Sequence, residues 1–350
     1  MRLAVLGAGA VGPAMAALAV SRGHDVVLWS PRGGGTHGIG AALRVEGVIA
    51  GTARLEVAVD VTRALSSAEA VLLSVPAHAL GPVLRRVAPM LRAKVPVLLA
   101  PSHSLAPLLL DRLLARLGLA TQIGAMPAPP LLATRIAPDA VRIAALRDQA
   151  EIAAVPAAAA PAMARLAADL FGLPFLPLPD VLAATLARHE PVLQAALALG
   201  NATRIEGEEP WDIHAQMTPA ICRLAERLDA ERLVLAARLG HATLPLATAL
   251  HRATGVPEGP LPAMARAMAE AAGEAPGPQG LDAAHLAESV TYGLALWQRM
   301  AASHTVPMPL TEAAIAVLEA MWGTALSADD LLEGLDLTRL PELMRDGHPR

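Results

Sequence analysis

The first dozen residues constrain this chain more than any other segment. An apolar run at residues 3–6 leads straight into Gly7, Gly9 and Gly12, and an Ala/Met/Leu-rich stretch of helical character follows from 13 to 22. A strand that turns on glycine into a helix is the arrangement that holds a dinucleotide. Gly7 permits the tight turn, and Gly9 keeps a side chain away from the pyrophosphate. Gly12 lets the helix lie close on the strand, its N-terminus aimed at the phosphates. Ala10 and Val11 share that turn and count with the glycines as expected cofactor contacts. A second apolar strand, Asp25–Trp29, arrives where such a fold needs it. A glycine turn that serves packing alone is the competing reading, and it leaves this context on both sides unexplained.

The end of the second strand bears on which dinucleotide binds. An NAD-preferring site usually carries Asp or Glu there, bonded to the ribose hydroxyls. This chain reads Trp29-Ser30-Pro31-Arg32-Gly33-Gly34-Gly35. No acid repels a 2′-phosphate, Ser30 can donate a hydrogen bond, and Arg32 can pair with the phosphate or stack on adenine. The expectation is NADP(H), with NAD(H) second.

Composition excludes several classes. The 350 residues are enough for two domains with real cores, and the net charge of −4 offers no basic face for nucleic acid. Lys94 is the only lysine, which removes most lysine chemistry, and Cys222 is the only cysteine, which removes an intrachain disulfide or a cysteine metal cluster. No His/Asp/Glu spacing suggests a metal, so none is expected. Residues 3–21 are uncharged and follow Arg2, as in a signal peptide or a membrane span. The interrupting glycines, Pro13 and the strand that follows fit the nucleotide fold better. The expectation is a cytoplasmic enzyme with no membrane contact.

From residue 1 to about 178, strand-like and helix-like runs alternate. Apolar runs at 3–6, 25–29, 70–75 and 95–100 predict a parallel sheet of Rossmann type, covered on both faces. Residues 46–59 read as a short hairpin. Residues 140–145 and 149–154 read as two more strands joined by a tight turn at Arg147-Asp148. Val75 and Pro76 end one strand, and Ser102 and His103 follow another. Ligands bind at such carboxyl ends, so Val75 and Pro76 are expected at the cofactor, and His78, Ser102 and His103 are candidates for the nicotinamide region. After residue 179 the strand signal stops. Helical runs at 181–198, 219–239, 244–252, 283–303 and 310–321 predict an all-α domain from 179 to 350, with 273–280 as a mobile loop.

The helical half carries an ordered series: Arg188-His189-Glu190-Pro191, Asn201 to Arg204, Thr218-Pro219, Asp229 to Arg232, Glu288-Ser289 to Tyr292, and Val306-Pro307. With the glycine turn, Val75-Pro76-Ala77 and Thr134-Arg135, this series resembles the opine dehydrogenase family (octopine and nopaline dehydrogenases) over essentially the whole chain. The resemblance implies a nucleotide-binding domain joined to an all-helical one. It also implies NAD(P)H-dependent reduction of the imine formed between a 2-oxo acid and the amino group of an amino acid or amine. His189 then falls on the catalytic histidine, a role suited to a group that titrates near neutral pH. The imidazole can take a proton from the substrate amine and deliver one to the departing hydroxyl.

The same resemblance exposes departures. Ala284 stands at the family's arginine position, His285 at its tyrosine and Ser289 at the aspartate that partners the histidine, while Glu288 is retained. Ser289 can hold an imidazole by a neutral hydrogen bond, and Glu288, one residue away, points roughly 100° elsewhere on a helix. His285, four residues before Ser289, shares its face. Arg135, Arg204 and Arg299 remain as partners for a substrate carboxylate, with Asn201, His285 and Tyr292 as further substrate contacts. A salt bridge from Arg204 to Glu206 or Glu208 is the plainer expectation for that residue. Asp229, Glu231 and Arg232 spread over different helix faces and read as packing or dimer-interface charges. Two other functions stay open: a ketopantoate-reductase-like reduction of a 2-oxo acid, against which the lack of any lysine after Lys94 weighs, and a nucleotide-binding regulatory protein without catalysis. A homodimer is compatible with the apolar helices.

Overall fold

The computed structural model describes every residue except 41, 273–274 and 281–283, and the backbone alone for 272, 284 and 285. The chain forms two compact units, Met1–Thr185 together with Leu331–Arg350, and Leu186–Asp330.

The first unit begins with β1 (Arg2–Leu6), α1 (Val11–Ser21) and β2 (Asp25–Trp29), followed by β3 (Ala42–Gly47), β4 (Gly51–Arg54), β5 (Glu56–Val57) and α2 (Val61–Leu65). Next come β6 (Ala70–Leu73), α3 (Ala77–Val87), β7 (Val97–Leu99), α4 (Ala106–Arg116), β8 (Ile123–Ala125), β9 (Leu131–Ala137), β10 (Ala140–Leu146) and β11 (Ala150–Val155). It closes with α5 (Ala160–Phe171), β12 (Phe175–Pro177) and α6 (Val181–Ala187), whose last residues enter the second unit.

Eight strands make one sheet in the order β12-β11-β8-β7-β6-β1-β2-β5. Every neighbouring pair in it is parallel except β8 with β11. A second sheet, β4-β3-β10-β9, lies across α1. That explains the composition of α1, which is apolar all round and buried from Gly12 through Ala19. A helix with no polar face must be covered on every side, and here one sheet covers each. The apolar segment that resembles a leader forms β1 and the enclosed helix α1.

The pairing corrects one expectation. Residues 140–145 and 149–154 do not form a hairpin with each other. β10 pairs with β9 and β3 in the second sheet, and β11 joins the main sheet between β8 and β12. The burial patterns give the reason: β10 alternates between buried and exposed, as a one-faced strand does, whereas Ile152 to Val155 of β11 are all buried. The expected hairpin within 46–59 is present as β3 and β4, shifted toward the N-terminus.

The second unit is helical: α7 (Glu190–Gly200), α8 (Ala202–Glu206), α9 (Pro219–Arg238), α10 (Leu246–Thr254), α11 (Leu261–Ala272) and α12 (Ala284–Ser289). A π-helical segment, Val290–Ala295, runs into α13 (Leu296–Ser303), followed by α14 (Pro309–Trp322) and α15 (Asp329–Leu332). The expected single helix over 283–303 is thus interrupted by one widened turn; residues 281–283 lie outside the described residues. The expected mobile loop at 273–280 is partly outside them too. Its described part is pinned, with Asp212 Oδ2 accepting from Ala275 N at 2.6 Å and Trp211 Nε1 donating to Pro278 O at 3.1 Å.

The chain ends with α16 (Leu340–Asp346), which packs on β11. The anchor is Asp111 in α4. Its fully buried carboxylate accepts from His348 N at 2.5 Å, His348 Nδ1 at 2.9 Å and Arg350 Nη2 at 2.8 Å. A buried carboxylate needs such partners, and the residues that supply them lie in the last segment. Residues 331–350 therefore belong to the first unit rather than to a helical domain running on from 179.

Candidate active site

The glycine turn is built as its spacing implies, and each glycine is required for a different reason. Gly7 sits at φ +130°, and a Cβ there would strike the Ser74 carbonyl; a Cβ on Gly12 would strike the carbonyl of Gly7. Both are close approaches of backbone to backbone. A Cβ on Gly9 would meet nothing within 4 Å, so Gly9 faces open space. This is the surface a pyrophosphate needs. The helix behind it has no side-chain cap at Ala10 and no acid in its first turn, which leaves its N-terminal N–H groups and dipole to an anion. The residues present fit a dinucleotide.

Around this turn, Val75 is buried and Pro76 is the exposed cap of α3. Ser30 and the exposed Arg32 follow β2. Sequence reasoning missed one residue here. The Arg86 guanidinium of α3 lies 5.0 Å from the ring centroid of Trp29, and Nη1 donates to Pro31 O at 3.4 Å. A second cation thus stands beside the loop that carries Ser30 and Arg32. No spacing links Arg86 to residue 29, so only the folded chain reveals it. Ser102 is buried, with its N–H on Met126 O at 2.8 Å, while His78 is exposed.

Arg135 is used within this unit. Nε donates to Ala137 O at 3.0 Å, Nη1 to Ala8 O at 3.0 Å and Gly9 O at 3.2 Å, and Nη2 to Gly35 O at 3.0 Å and to Pro138 O. Its donors are taken by the main chain.

In the helical unit, His189 caps the N-terminus of α7. Burial lowers its pKa; Glu190 and Asp229 oppose that shift, and Arg232 and Arg188 add to it. The imidazole is therefore neutral at neutral pH. Arg188 Nε stands 3.6 Å from Glu190 Oε2. Two residues past His189, Pro191 packs on Gly293 of the π-helical segment, where a Cβ would come within 2.5 Å of the Pro191 Cβ. α7 packs along both α12 and that segment, so the stretch from Glu288 to Tyr292 runs beside it. Ser289 and Glu288 are half-buried at the end of α12. Tyr292 is buried and its OH donates to Asp330 Oδ2 at 3.4 Å. Burial first, then the charges of Asp330 and Glu288, push its pKa far up, so the phenol stays protonated. π-Helical turns in α-helices are frequent at functional sites.

Asn201 is buried between α7 and α8, its Nδ2 on Leu197 O at 3.2 Å. Arg204 is 41% exposed and pairs with Glu209 at 3.5 Å, not with Glu206 or Glu208. The backbone places His285 and Ala284 in the first turn of α12, and their side chains lie outside the described residues. Asp229 and Arg232 are buried partners at 2.7 Å; Arg232 also donates to Leu244 O and Leu186 O, and Asp229 Oδ2 accepts from Leu246 N at 2.7 Å. Glu231 caps α14 through Leu310 N, Thr311 N and Thr311 Oγ1. This acidic and basic cluster builds the helical core. Among the described residues, no group of three or more His, Cys, Asp or Glu is placed to hold a metal, and no helix is long and apolar enough to cross a membrane.

The comparisons follow the same division. Residues 177–322 match the alpha-helical domain of NAD/NADP octopine/nopaline dehydrogenases, and residues 2–101 match the N-terminus of NAD-dependent glycerol-3-phosphate dehydrogenase. No curated protein sequence matches the chain. Among solved structures, octopine dehydrogenase with NADH and L-arginine superposes at a TM-score of 0.81 with 14% identity, over 100% of both chains. Yersinopine dehydrogenase with NADP+ bound gives 0.73 with 18% identity, over 98% of this chain and 97% of that one. A ketopantoate reductase from Ralstonia eutropha gives 0.64 with 18% identity, over 92% and 99%. With a nucleotide-binding N-terminal domain joined to the octopine/nopaline dehydrogenase helical domain, the chain is an opine-dehydrogenase-like NAD(P)-dependent oxidoreductase.

Proposed function

We propose that the protein reduces the imine formed between a 2-oxo acid and an amino acid or amine, with NADP(H) as the preferred cofactor. The observation that carries this reading is His189, a half-buried imidazole of lowered pKa at the N-cap position of α7 within the stretch that matches the octopine/nopaline dehydrogenase domain. In the first chemical step an amine attacks the keto carbon, which requires a neutral nitrogen. A neutral imidazole takes the proton from the substrate ammonium. The imidazolium then gives that proton to the hydroxyl of the carbinolamine, which leaves as water. Its lowered pKa makes it the stronger acid for this second transfer. NAD(P)H, when bound, supplies the hydride to the imine carbon. Ser289, half-buried beside α7, suits a neutral hydrogen bond to the imidazole, and Tyr292, protonated and donating to Asp330 Oδ2, braces the segment that carries Ser289. Arg204, with a long and exposed pairing to Glu209, keeps capacity for a carboxylate.

The cofactor preference rests on Ser30, Arg32 and Arg86 around a loop with no acid at the end of β2. Gly7, Gly9, Ala10, Val11 and Gly12 would hold the pyrophosphate. A cytoplasmic location and a homodimer accompany the reading; the first is supported by a single, buried cysteine. The test is NADPH oxidation with a panel of 2-oxo acids, each with and without amino acids. Turnover is expected only when both are present. Turnover with the oxo acid alone indicates ketone reduction instead, and cofactor binding without turnover indicates a non-catalytic protein.

A further inference from the structure

We propose that Arg135 is a positioning residue that aims the main-chain N–H groups of the glycine turn at the dinucleotide, an inference that rests on the dinucleotide reading of that turn. An arginine fork has five N–H donors in a fixed plane. In Arg135 they go to carbonyls from three segments: Ala8 and Gly9 in the glycine turn, Gly35 in the loop after β2, and Ala137 at the end of β9 with Pro138 just beyond it. The second sheet, which carries β9, is thereby tied to both loops that surround the cofactor position.

The direction of these bonds matters. In a trans peptide the carbonyl and the N–H point to opposite sides. The Ala8 carbonyl shares its peptide with the N–H of Gly9, and the Gly9 carbonyl shares its peptide with the N–H of Ala10. Holding both carbonyls on the guanidinium turns both N–H groups away from it. Among the described residues neither N–H meets a backbone acceptor, and the space beyond Gly9 is open. A carbonyl bonded to a cation also makes its own N–H a stronger donor. Among the described residues no carboxylate hydrogen-bonds the guanidinium; Asp139 acts on it only at a distance. Its positive charge thus stays beneath the turn. Arg135 is in this way spent on the cofactor side of the reaction, not on a substrate carboxylate.

The test compares Arg135→Ala and Arg135→Lys with the parent chain. Calorimetry gives NADPH affinity, and steady-state kinetics at saturating NADPH give kcat and the substrate KM. For Arg135→Ala the NADPH Kd is expected to rise about tenfold or more, which corresponds to about 1.4 kcal/mol. The kcat at saturation and the substrate KM are expected to change little. Arg135→Lys keeps the charge but spans fewer carbonyls, so an intermediate loss is expected. Millimolar methylguanidinium is expected to restore NADPH affinity to Arg135→Ala, and methylammonium is not. Should Arg135→Ala fail to fold, the lysine variant carries the comparison through its own loss of affinity. The proposal is overturned if the folded variants bind NADPH as tightly as the parent, or if methylammonium rescues as well as methylguanidinium. A parent chain that binds neither NADPH nor NADH overturns the dinucleotide reading itself.

Discussion

Gly293 lies against the ring of Pro191 so closely that a Cβ on Gly293 would come within 2.5 Å of the proline Cβ. Pro191 is in the first turn of α7, two residues past His189, and Gly293 is in the π-helical segment that follows Ser289. The contact sets the distance between the histidine cap and the helix that carries its neighbours. Gly293→Ala is expected to push the two apart. Overpacking of this kind costs about 1–3 kcal/mol, and kcat is expected to fall while NADPH affinity is unchanged. Parallel kinetics and calorimetry check this; an unaltered kcat in the folded variant contradicts it.

The glycines of the turn separate packing from binding. Gly12→Ala meets the Gly7 carbonyl and is expected to destabilise the first unit, seen as a lower melting temperature. Gly9→Ala meets nothing within 4 Å and is expected to melt like the parent, yet to bind NADPH about tenfold or more weakly, because its methyl group occupies pyrophosphate space. Equal affinity in Gly9→Ala contradicts the assignment.

Arg32 and Arg86 are expected to act on the 2′-phosphate. Hydrogen bonds to charged groups contribute about 1.5–3 kcal/mol, so Arg32→Ala and Arg86→Ala should each lower kcat/KM for NADPH by roughly ten- to a hundredfold. Values for NADH should hardly move. An equal loss with both cofactors means that these arginines support the fold only.

The pH dependence follows from the burial of His189, which lowers its pKa. In the oxidative direction, water attacks the imine and a base must accept its proton, so the neutral imidazole is the active form. Activity rises as the histidine loses its proton with increasing pH. The acid limb of kcat/KM is therefore expected to have its midpoint below the ordinary histidine value of about 6.5. A midpoint at or above that value, or a limb that persists in His189→Asn, contradicts the role.

What was legible in the sequence was local. β1, α1 and β2 follow from an apolar run, three glycines and a second apolar run, and no distant partner is needed to recognise them. The partners of β10 and β11 are distant, and two adjacent apolar runs joined by Arg147-Asp148 imitate a hairpin. The alternation in β10 and its absence in Ile152 to Val155 carried the distinction. Arg135 reaches Ala8 across 127 residues, and Asp111 reaches Arg350 across 239. Such contacts leave no periodicity behind. The role proposed for His189 rests on the order of motifs around it, since a single histidine before a helix has no signature of its own. Arg86 had none either, because its role depends on the Trp29 ring beneath it.

The most direct test of imine reduction is the fate of two labels in one product. The enzyme would be given a 2-oxo acid, a heavy-nitrogen-labelled amino acid and NADPH deuterated at the transferring position, and the product analysed by mass spectrometry. The account predicts a single secondary amine that carries both labels, with the deuterium on the former keto carbon. A deuterated 2-hydroxy acid without the nitrogen label would contradict it.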